Sequence, residues 1–199
     1  QLTIYTITNT VKTIGSYSFQ NSTLTNVIIP KGVTRIGYYS FSECSNLINV
    51  SLPDTTTSIE RSCFENCQKL YSVDISANGA ILSFQAFGEC TSLRTVVLKG
   101  YIRSIGLNSF VNCILLNSVI TNGCFGLDTI DSSAFSNCRS MSSFLMPNSV
   151  KYIGSYAFLD CINLAVINIS PCVTELYGYT FRGCIGLVNV TIQGPLRLL

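Results

Sequence analysis

The most chemically versatile side chains in this 199-residue sequence are its ten cysteines. Seven of them recur at a nearly constant interval, each three residues after a phenylalanine: Cys44, Cys67, Cys90, Cys113, Cys138, Cys161 and Cys184. Cysteines at this density can form disulfides, hold a metal ion or supply a nucleophile. The surrounding residues decide between these uses.

Metal binding and catalysis both lack the residues they need. Zinc sites usually combine closely spaced cysteine pairs with histidine, but the chain has no histidine, and its one short spacing is Cys63-x-x-x-Cys67. A cysteine nucleophile needs a base, which is usually histidine. Asp128 and Asp131 flank Ile130 without an evident partner and are expected on a solvated edge. We therefore predict no catalytic residue, no metal ligand and no cofactor, and a protein that is not an enzyme.

The seven regular cysteines fit a buried ladder of thiols better than a set of disulfides. In a repeating coil their side chains would point the same way about 5 Å apart, whereas a disulfide needs Cβ atoms at about 3.8 Å. Free cysteine behaves as a small apolar residue in a core. Cys124 and Cys172 lie outside this register, so they are the candidates for exposed thiols, and their redox state stays open.

The register itself comes from an internal repeat, for which Val33–Pro53 is the clearest copy. Its pattern is Val-x-x-Ile-Gly-x-x-(Ser/Ala)-Phe-x-x-Cys-x-x-Leu-x-x-Val-x-(Ile/Leu)-Pro, and a period of 20 to 50 residues indicates a solenoid or array. Eight units fill the chain, and the first lacks the cysteine. The anchoring phenylalanines are 22 to 25 residues apart: Phe19, Phe41, Phe64, Phe87, Phe110, Phe135, Phe158 and Phe181.

Each unit predicts three elements that would position these side chains. Leu47-x-x-Val50-x-Leu52 alternates with period two at its end and predicts a short strand. Val33-x-x-Ile36 predicts a second, shorter strand. Between the two strands, Tyr38–Asn46 spaces Phe41, Cys44 and the following Leu47 three residues apart, which favours a short helical turn. We predict an α/β right-handed solenoid of about eight 23-residue coils. Two extra residues in 122–128 are predicted to form a loop that bulges from one edge.

Length and composition favour a single repeat domain over residues 1–199. Only 11% of residues are charged and the net charge is +2, so neither a nucleic acid nor an anionic membrane surface is expected as a partner. No run of about 20 apolar residues could insert into a membrane, so this segment is expected to be soluble.

The two ends of the chain contain incomplete repeats. Gln1–Tyr5 is interpreted as the end of a preceding unit, with Leu2 and Ile4 at the strand core positions, and Pro195–Leu199 as the start of another. Neither end carries the polar capping repeat of a solenoid, so the chain is expected to be part of a longer array.

The repeated block resembles a known family. The Ile36–Pro53 segment of the second unit and Ile153–Leu164 of the seventh are similar to the BspA-like subclass of leucine-rich repeats, and the similarity extends over the whole chain. It implies a right-handed leucine-rich-repeat solenoid with a parallel sheet on its concave side. Members are surface proteins and adhesins of oral and gut bacteria and of parasitic protists, where they bind host proteins or other cells. In the fourth unit Gly79–Ser83 departs from the pattern.

Strand periodicity locates a candidate binding surface. The first outward row of the strands is mostly Asn, Ser and Thr, but in the second row three consecutive units carry apolar residues. An exposed apolar stripe with a polar rim is typical of a protein contact site. The alternative is that β-branched residues simply suit a sheet, or that a loop covers them. The predicted protein-binding residues are Asp74, Val97, Ile120 and Leu145.

A second, aromatic stripe has the same two interpretations. Tyr17, Tyr39, Tyr156 and Tyr179 occupy the position two before the phenylalanine. Tyrosine is frequent at binding hot spots, but it is also an ordinary half-buried residue.

These observations lead to three functional hypotheses. The first is a secreted or cell-surface adhesion module that binds a host, matrix or other surface protein through its concave sheet. The second is a structural spacer, and the third is an intracellular protein-interaction scaffold, which suits unpaired cysteines equally well. The identity of the ligand and the oligomeric state stay open.

Overall fold

The computed structural model describes residues 4–195 and 197–198, and this part of the chain forms sixteen β-strands and no helix. The strands are β1 (Ile4–Thr6), β2 (Thr13–Ile14), β3 (Asn26–Ile28), β4 (Arg35–Ile36), β5 (Asn49–Leu52), β6 (Ser58–Ile59), β7 (Ser72–Leu82), β8 (Thr95–Ile105), β9 (Ser118–Phe125), β10 (Thr129–Ile130), β11 (Ser143–Phe144), β12 (Tyr152–Ile153), β13 (Val166–Ile169), β14 (Glu175–Leu176), β15 (Asn189–Ile192) and β16 (Arg197–Leu198). All pairings between them are parallel.

The Leu-x-x-Val-x-Leu segments stack into a sheet that we call the long-strand sheet. It contains β1, β3, β5, β7, β8 and β9 in that order, followed by a separate group of β11, β13 and β15. Equivalent residues pair directly, as Val50 does with Val73. Because side chains alternate between the two faces of a strand, Val50 and Leu52 are buried while Asn49 and Ser51 are exposed. The predicted first strand is therefore confirmed.

The Val-x-x-Ile segments form a second parallel ladder on another side of each coil. It contains β2, β4, β6, β10, β12, β14 and β16, together with the C-terminal ends of β7 and β8. The buried isoleucine of one coil pairs with that of the next, as Ile36 does with Ile59. The predicted short second strand is confirmed, and the chain is a parallel-sheet β-solenoid of about eight coils of roughly 23 residues.

A turn after the long strand carries the chain from the first ladder to the second in five coils. It begins at Thr8, Pro30, Pro53, Pro147 and Ser170, and each of these carbonyls accepts a hydrogen bond from the residue three positions later. Where proline stands there, it also ends the strand because it has no N–H to donate to the ladder. In the three central coils the strand continues instead, and β7 and β8 each run for 11 residues into the second ladder.

The predicted loop at 122–128 is wrong over most of its length. Residues 122–125 belong to β9, which pairs with β8 as far as Tyr101 and Phe125. A β-bulge opposite the segment between Val97 and Lys99 shifts the register, so the extra length enters the strand, and 126–128 alone lie outside any strand. A bulge is the usual way to place an additional residue in one strand of a pair.

The predicted helical turn is also wrong, because the residues two before and two after each phenylalanine have positive φ. In the second coil these are Tyr39 (φ 52°) and Glu43 (φ 61°), and a right-handed helix requires negative φ. The segment instead forms consecutive β-turns. The N–H of Cys44 bonds within the turn to Phe41 O at 3.3 Å, while the N–H of Phe41 bonds to Cys63 O of the next coil at 2.8 Å. Alternate amides therefore link neighbouring coils.

The centre of the solenoid is a continuous stack of phenylalanine rings. Ring centroids lie from 5.0 Å apart at Phe19–Phe41 to 5.6 Å at Phe158–Phe181, with nearly parallel planes. From the second coil onward, the position before each phenylalanine holds a small buried residue: Ser40, Cys63, Ala86, Ser109, Ala134, Ala157 and Thr180. The small side chains let the backbones of the coils approach each other.

The two ends of the chain follow the same ladders, with one correction. Ile4 pairs with Asn26, so it does not hold the core position that was predicted for it, and Ile7 is the buried residue instead. The prediction for Leu2 lies outside the described residues, as does that for Leu199. At the other end, Leu198 pairs with Leu176 in the second ladder.

We expect Phe110→Ala to lower the free energy of unfolding by about 3–5 kcal/mol, because it removes a fully buried ring between two stacked neighbours. Phe125→Ala is the control, since Phe125 is 67% exposed, and it should change stability by no more than about 0.5 kcal/mol. Urea unfolding followed by circular dichroism measures both. Equal losses for the two variants would contradict the phenylalanine stack.

The positive φ at Glu43 predicts an unusual effect of glycine. Glu43→Gly should raise stability by up to about 1 kcal/mol, because a non-glycine residue costs about 1–2 kcal/mol in this left-handed conformation. Glu43→Val is the matched variant and should destabilise. If this segment were helical, the glycine would instead cost about 1 kcal/mol, so urea midpoints distinguish the two structures.

Candidate protein-interaction face

The structure places three of the four predicted binding residues on adjacent strands. Asp74 on β7 pairs with Val97 on β8, and Val97 pairs with Ile120 on β9. Both neighbours of each along its strand are buried, so all three side chains point away from the core. In these three coils the residues of the predicted row therefore lie side by side on the outward face of the sheet.

Leu145 lies on the same face but beyond a break in the sheet. It follows β11 and is 60% exposed, between buried Phe144 and Met146. Within residues 4–195, β9 pairs with β8 alone and not with β11. The two coils are joined here by the hydroxyl of Thr121, which donates to Leu145 O at 2.9 Å. Val97, Ile120 and Leu145, which we call the apolar stripe, thus cross an interruption in the main-chain ladder.

Exposure increases along the apolar stripe. Val97 is half-buried, Ile120 is 41% exposed and Leu145 is 60% exposed. The neighbouring outward row is polar, with Thr95, Ser118 and Ser143 beside them. An apolar stripe between polar residues is therefore present on the surface, in the arrangement that protein contact sites share.

Asp74 already has a partner that the sequence did not indicate. Lys99 Nζ lies 2.8 Å from Asp74 Oδ2, and the Ser76 hydroxyl donates to Asp74 Oδ1 at 3.3 Å. Both charged side chains are substantially exposed, so this ion pair contributes no more than about 1 kcal/mol. Its main effect is to neutralise the charge at one end of the apolar stripe.

Two aromatic residues extend the outward face towards the corner of the coil. Tyr101 and Phe125 pair on β8 and β9 and are 45% and 67% exposed. The Tyr101 ring lies against Gly126, where a Cβ would come within 2.3 Å of the ring. Sequence reasoning missed this pair because 122–128 was interpreted as a loop. The available signal was the missing proline after the strands of the central coils.

A shallow groove runs along the same sheet towards the N-terminal coils. Its volume is about 410 Å³ near Pro53, and a second part of about 730 Å³ includes Asp74 and Val97 but neither Ile120 nor Leu145. Ile28 and Val97 line it together with asparagine and serine residues. The apolar stripe therefore begins in this groove and continues onto an open surface.

The cysteine ladder is buried as predicted, and its thiols make a contact that was not predicted. Each Sγ donates to the carbonyl oxygen of the phenylalanine in the preceding coil, at distances from 3.0 Å for Cys184 to 3.3 Å for Cys138. In the first coil Ser22 takes the cysteine position, and its hydroxyl lies 3.2 Å from Cys44 Sγ. The thiol therefore works as a small core residue that also satisfies a carbonyl.

Burial raises the pKa of Cys113 and Cys138 in the ladder and of Cys63 in the small-residue position before Phe64, so these three fully buried thiols stay protonated. All ten cysteines are free thiols in the structure. Outside the ladder, Cys124 is half-buried and burial raises its pKa, while Cys172 is exposed. These two are thus the accessible thiols, as predicted.

Neither a metal cluster nor a membrane-spanning helix is found in the described part of the chain. Cysteine, aspartate and glutamate side chains do not come together there in groups of three or more that could hold a metal ion. A helix with the length and apolar character needed to cross a bilayer is likewise missing from these residues.

The tyrosine stripe forms two separate stacked pairs. Tyr17 and Tyr39 stack with ring centroids 5.3 Å apart, and Tyr156 and Tyr179 with centroids 5.1 Å apart. All four adopt positive φ at the turns. Each ring covers part of its neighbour, which agrees with the half-buried interpretation, although Tyr17 and Tyr179 remain more than half exposed.

Comparison with known proteins gives a consistent result. The sequence profile described as "BspA type Leucine rich repeat region" matches residues 12–127 and 116–198, with six copies. A leucine-rich repeat protein from Eubacterium ventriosum is 28% identical with a TM-score of 0.71, over 80% of this chain and 43% of that one. A second, from Bacteroides ovatus, is 23% identical with a TM-score of 0.63, over 98% of this chain and 62% of that one.

This chain therefore spans less than two thirds of the length of either solved structure. Among curated proteins, none is similar enough to be counted as a relative.

The burial of the thiols predicts which cysteines react. In the folded protein at pH 8, iodoacetamide should modify Cys172 first and Cys124 more slowly, because burial and a raised pKa lower its thiolate fraction. The remaining eight should stay unmodified until the protein is denatured, when all ten react. Peptide mass spectrometry measures each site. Modification of Cys138 as fast as Cys172 would contradict the buried ladder.

Proposed function

This chain belongs to the BspA type leucine-rich repeat family, and from that premise we propose that it is a non-enzymatic protein-binding module. Its partner is a host, matrix or other cell-surface protein. The chain recognises this partner through the exposed face of the long-strand sheet, and it acts in adhesion at the cell surface or after secretion.

The apolar stripe is the observation that carries this proposal. Ile120 and Leu145 leave much of their apolar surface in water although their strand neighbours are fully packed. Complete burial of such a side chain in an interface contributes about 1.5–3 kcal/mol. Contiguous exposed apolar residues with a polar rim mark contact sites in soluble proteins.

The rigidity of the scaffold also supports a binding role. Val97 is on β8, which pairs with strands on both sides, and Ile120 is on β9, which pairs with β8 and packs on the core through Val119. Because both strands are already ordered, little conformational entropy is lost when a partner binds. Tyr101 and Phe125 add exposed aromatic area next to the apolar stripe, and tyrosine is enriched among residues that dominate binding energy.

The domain organisation that we propose is a single array over residues 1–199. Its support is the phenylalanine stack, which continues from Phe19 to Phe181 without a gap, even where the long-strand sheet is interrupted.

The same continuity favours a second candidate function, that of a structural spacer. In the β-turn segments that contain the phenylalanines, main-chain hydrogen bonds link each coil to the next. An example is the bond from Phe110 N–H to Ala134 O, at 2.9 Å, between the two coils where the long-strand sheet is interrupted. A rod joined in this way can hold another domain at a distance without binding anything on its face.

Replacing the apolar stripe by carboxylates tests the binding function. We expect the wild-type protein to capture a partner from host-cell surface and matrix extracts, and Val97→Asp/Ile120→Asp/Leu145→Asp to lose it, because three charges would have to be desolvated in the contact. Affinity should fall by at least tenfold in a binding assay with the purified partner.

The control variant carries the same added charge in the same outward row but outside the apolar stripe. Ser51→Asp/Asn168→Asp/Thr191→Asp should bind within about twofold of wild type, and circular dichroism should show all three proteins folded. Equal capture by both variants, or no capture by the wild type, would favour the spacer.

A further inference from the structure

We propose that the free edge of β9, from Asn122 to Phe125, binds an extended segment of the partner protein as an added β-strand. This inference rests on the protein-binding function proposed above and names the form in which the partner binds. Main-chain hydrogen bonds would supply the attachment, and the neighbouring apolar side chains would supply the specificity.

The edge is open in the middle of the array. β9 pairs with β8 on one side, and no ladder in the described residues pairs it on the other. Two side-chain contacts hold the next coil in place, at either end of the open stretch. The Thr121 hydroxyl donates to Leu145 O at 2.9 Å, and the Ser149 hydroxyl donates to Leu127 O at 2.7 Å. Residues 122–125 lie between these two contacts.

The next coil leaves this edge free because it turns at Pro147. The Val150 N–H bonds to Pro147 O at 3.1 Å, so the chain cannot follow β9 outward. β7 and β8 carry no proline at this position and pair with each other for most of their length. β9 is therefore the last long strand, next to a coil that turns early.

The orientation of the amides shows which groups are unpaired. Successive residues in a parallel strand direct their main-chain groups to opposite neighbours. Thr95 donates to Tyr71 O on the β7 side, and Ser118 donates to Arg94 O on the β8 side. With Lys99 opposite Gly123 and Tyr101 opposite Phe125, the same alternation directs Gly123 and Phe125 towards β8. It directs the N–H and C=O of Cys124 to the open edge.

The side chains around this edge define the segment that would fit. Phe125 and Ile120 project from the outward face of β9 and are 67% and 41% exposed. In adjacent strands, side chains directly opposite one another are in contact. An added strand along 122–125 would thus place one side chain beside Phe125 and another beside Gly123, so the partner segment should carry an apolar residue opposite Phe125.

A second copy of this chain does not suit the edge. The open stretch lies in a notch, with the coil that contains Leu145 and Pro147 on its far side. Two β9 edges brought together would force these two coils into the same space. A single extended strand has no such bulk, so a peptide segment is the occupant that the geometry favours.

The test uses random decapeptides displayed on phage and selected on the immobilised wild-type protein. Enriched peptides are resynthesised with an N-methyl group at each position in turn. We expect a shared apolar position, and a loss of affinity of at least tenfold when the one amide that bonds to Cys124 O is methylated, but not when either neighbouring amide is, because the neighbouring amides point away from β9. Hydrogen exchange at the Cys124 amide should slow when the peptide binds.

Cys124→Pro closes the edge from the protein side, because it removes the outward N–H and leaves the bonds of Gly123 and Phe125 to β8 in place. It should weaken peptide binding at least tenfold, whereas the control Cys124→Ala, which keeps the N–H, should bind as wild type does. The methylation scan and the exchange measurement use wild-type protein, so they test the proposal even if Cys124→Pro fails to fold.

The proposal is overturned if no peptide is enriched, if methylation of one amide costs no more affinity than methylation of its two neighbours, or if a folded Cys124→Pro variant binds unchanged. Self-association of the wild type that Cys124→Pro abolishes would assign the edge to a second copy and overturn the occupant proposed here. If Cys124→Pro still captures the partner while the apolar-stripe variant does not, the protein-binding function stands and strand addition fails.

Discussion

The stack of phenylalanine rings is the interaction on which this structure depends. The ring centroids are 5.0–5.6 Å apart, close to the spacing of about 4.8 Å between hydrogen-bonded strands. Core packing and the main-chain ladders therefore demand the same rise for each coil. A residue at a given position in one coil must then lie over its equivalent in the next, which turns every repeated residue into a ladder.

The conformation of the β-turn segment around each phenylalanine follows from this constraint. Alternate amides of the segment must bond to the next coil, and two residues with left-handed backbone conformation per coil make this possible. After the phenylalanine, that position holds Asn, Asp, Glu or Gly in every coil, and Asn, Asp and Gly tolerate positive φ best. The cysteine thiol then satisfies the phenylalanine carbonyl of the coil before. The phenylalanine carbonyls from Phe19 to Phe158 thus have thiol partners although they lie beside the core.

The residues that all coils share are buried and stabilise the fold. The surface available for binding therefore depends on the features that differ between coils. In three central coils the chain continues as a strand where the other coils turn, which lengthens β7, β8 and β9, and the turn at Pro147 ends this row of long strands. The apolar stripe, the exposed aromatic pair and the open edge of β9 all lie at this transition. They are adjacent because one change in turn chemistry alters both the pairing of the strands and the exposure of their side chains.

Sequence alone determined the repeat, both strand ladders, the buried cysteines and the outward position of Asp74, Val97 and Ile120. Each of these follows from spacing, because period two in a strand assigns every residue to one face. Tertiary structure decided the rest. The spacing of Phe, Cys and Leu fits a helical turn as well as consecutive β-turns, and bonds to the next coil choose the β-turns. The pairing of 122–125, the break before Leu145 and the Lys99 partner of Asp74 depend on neighbouring coils, whose contacts no single repeat encodes.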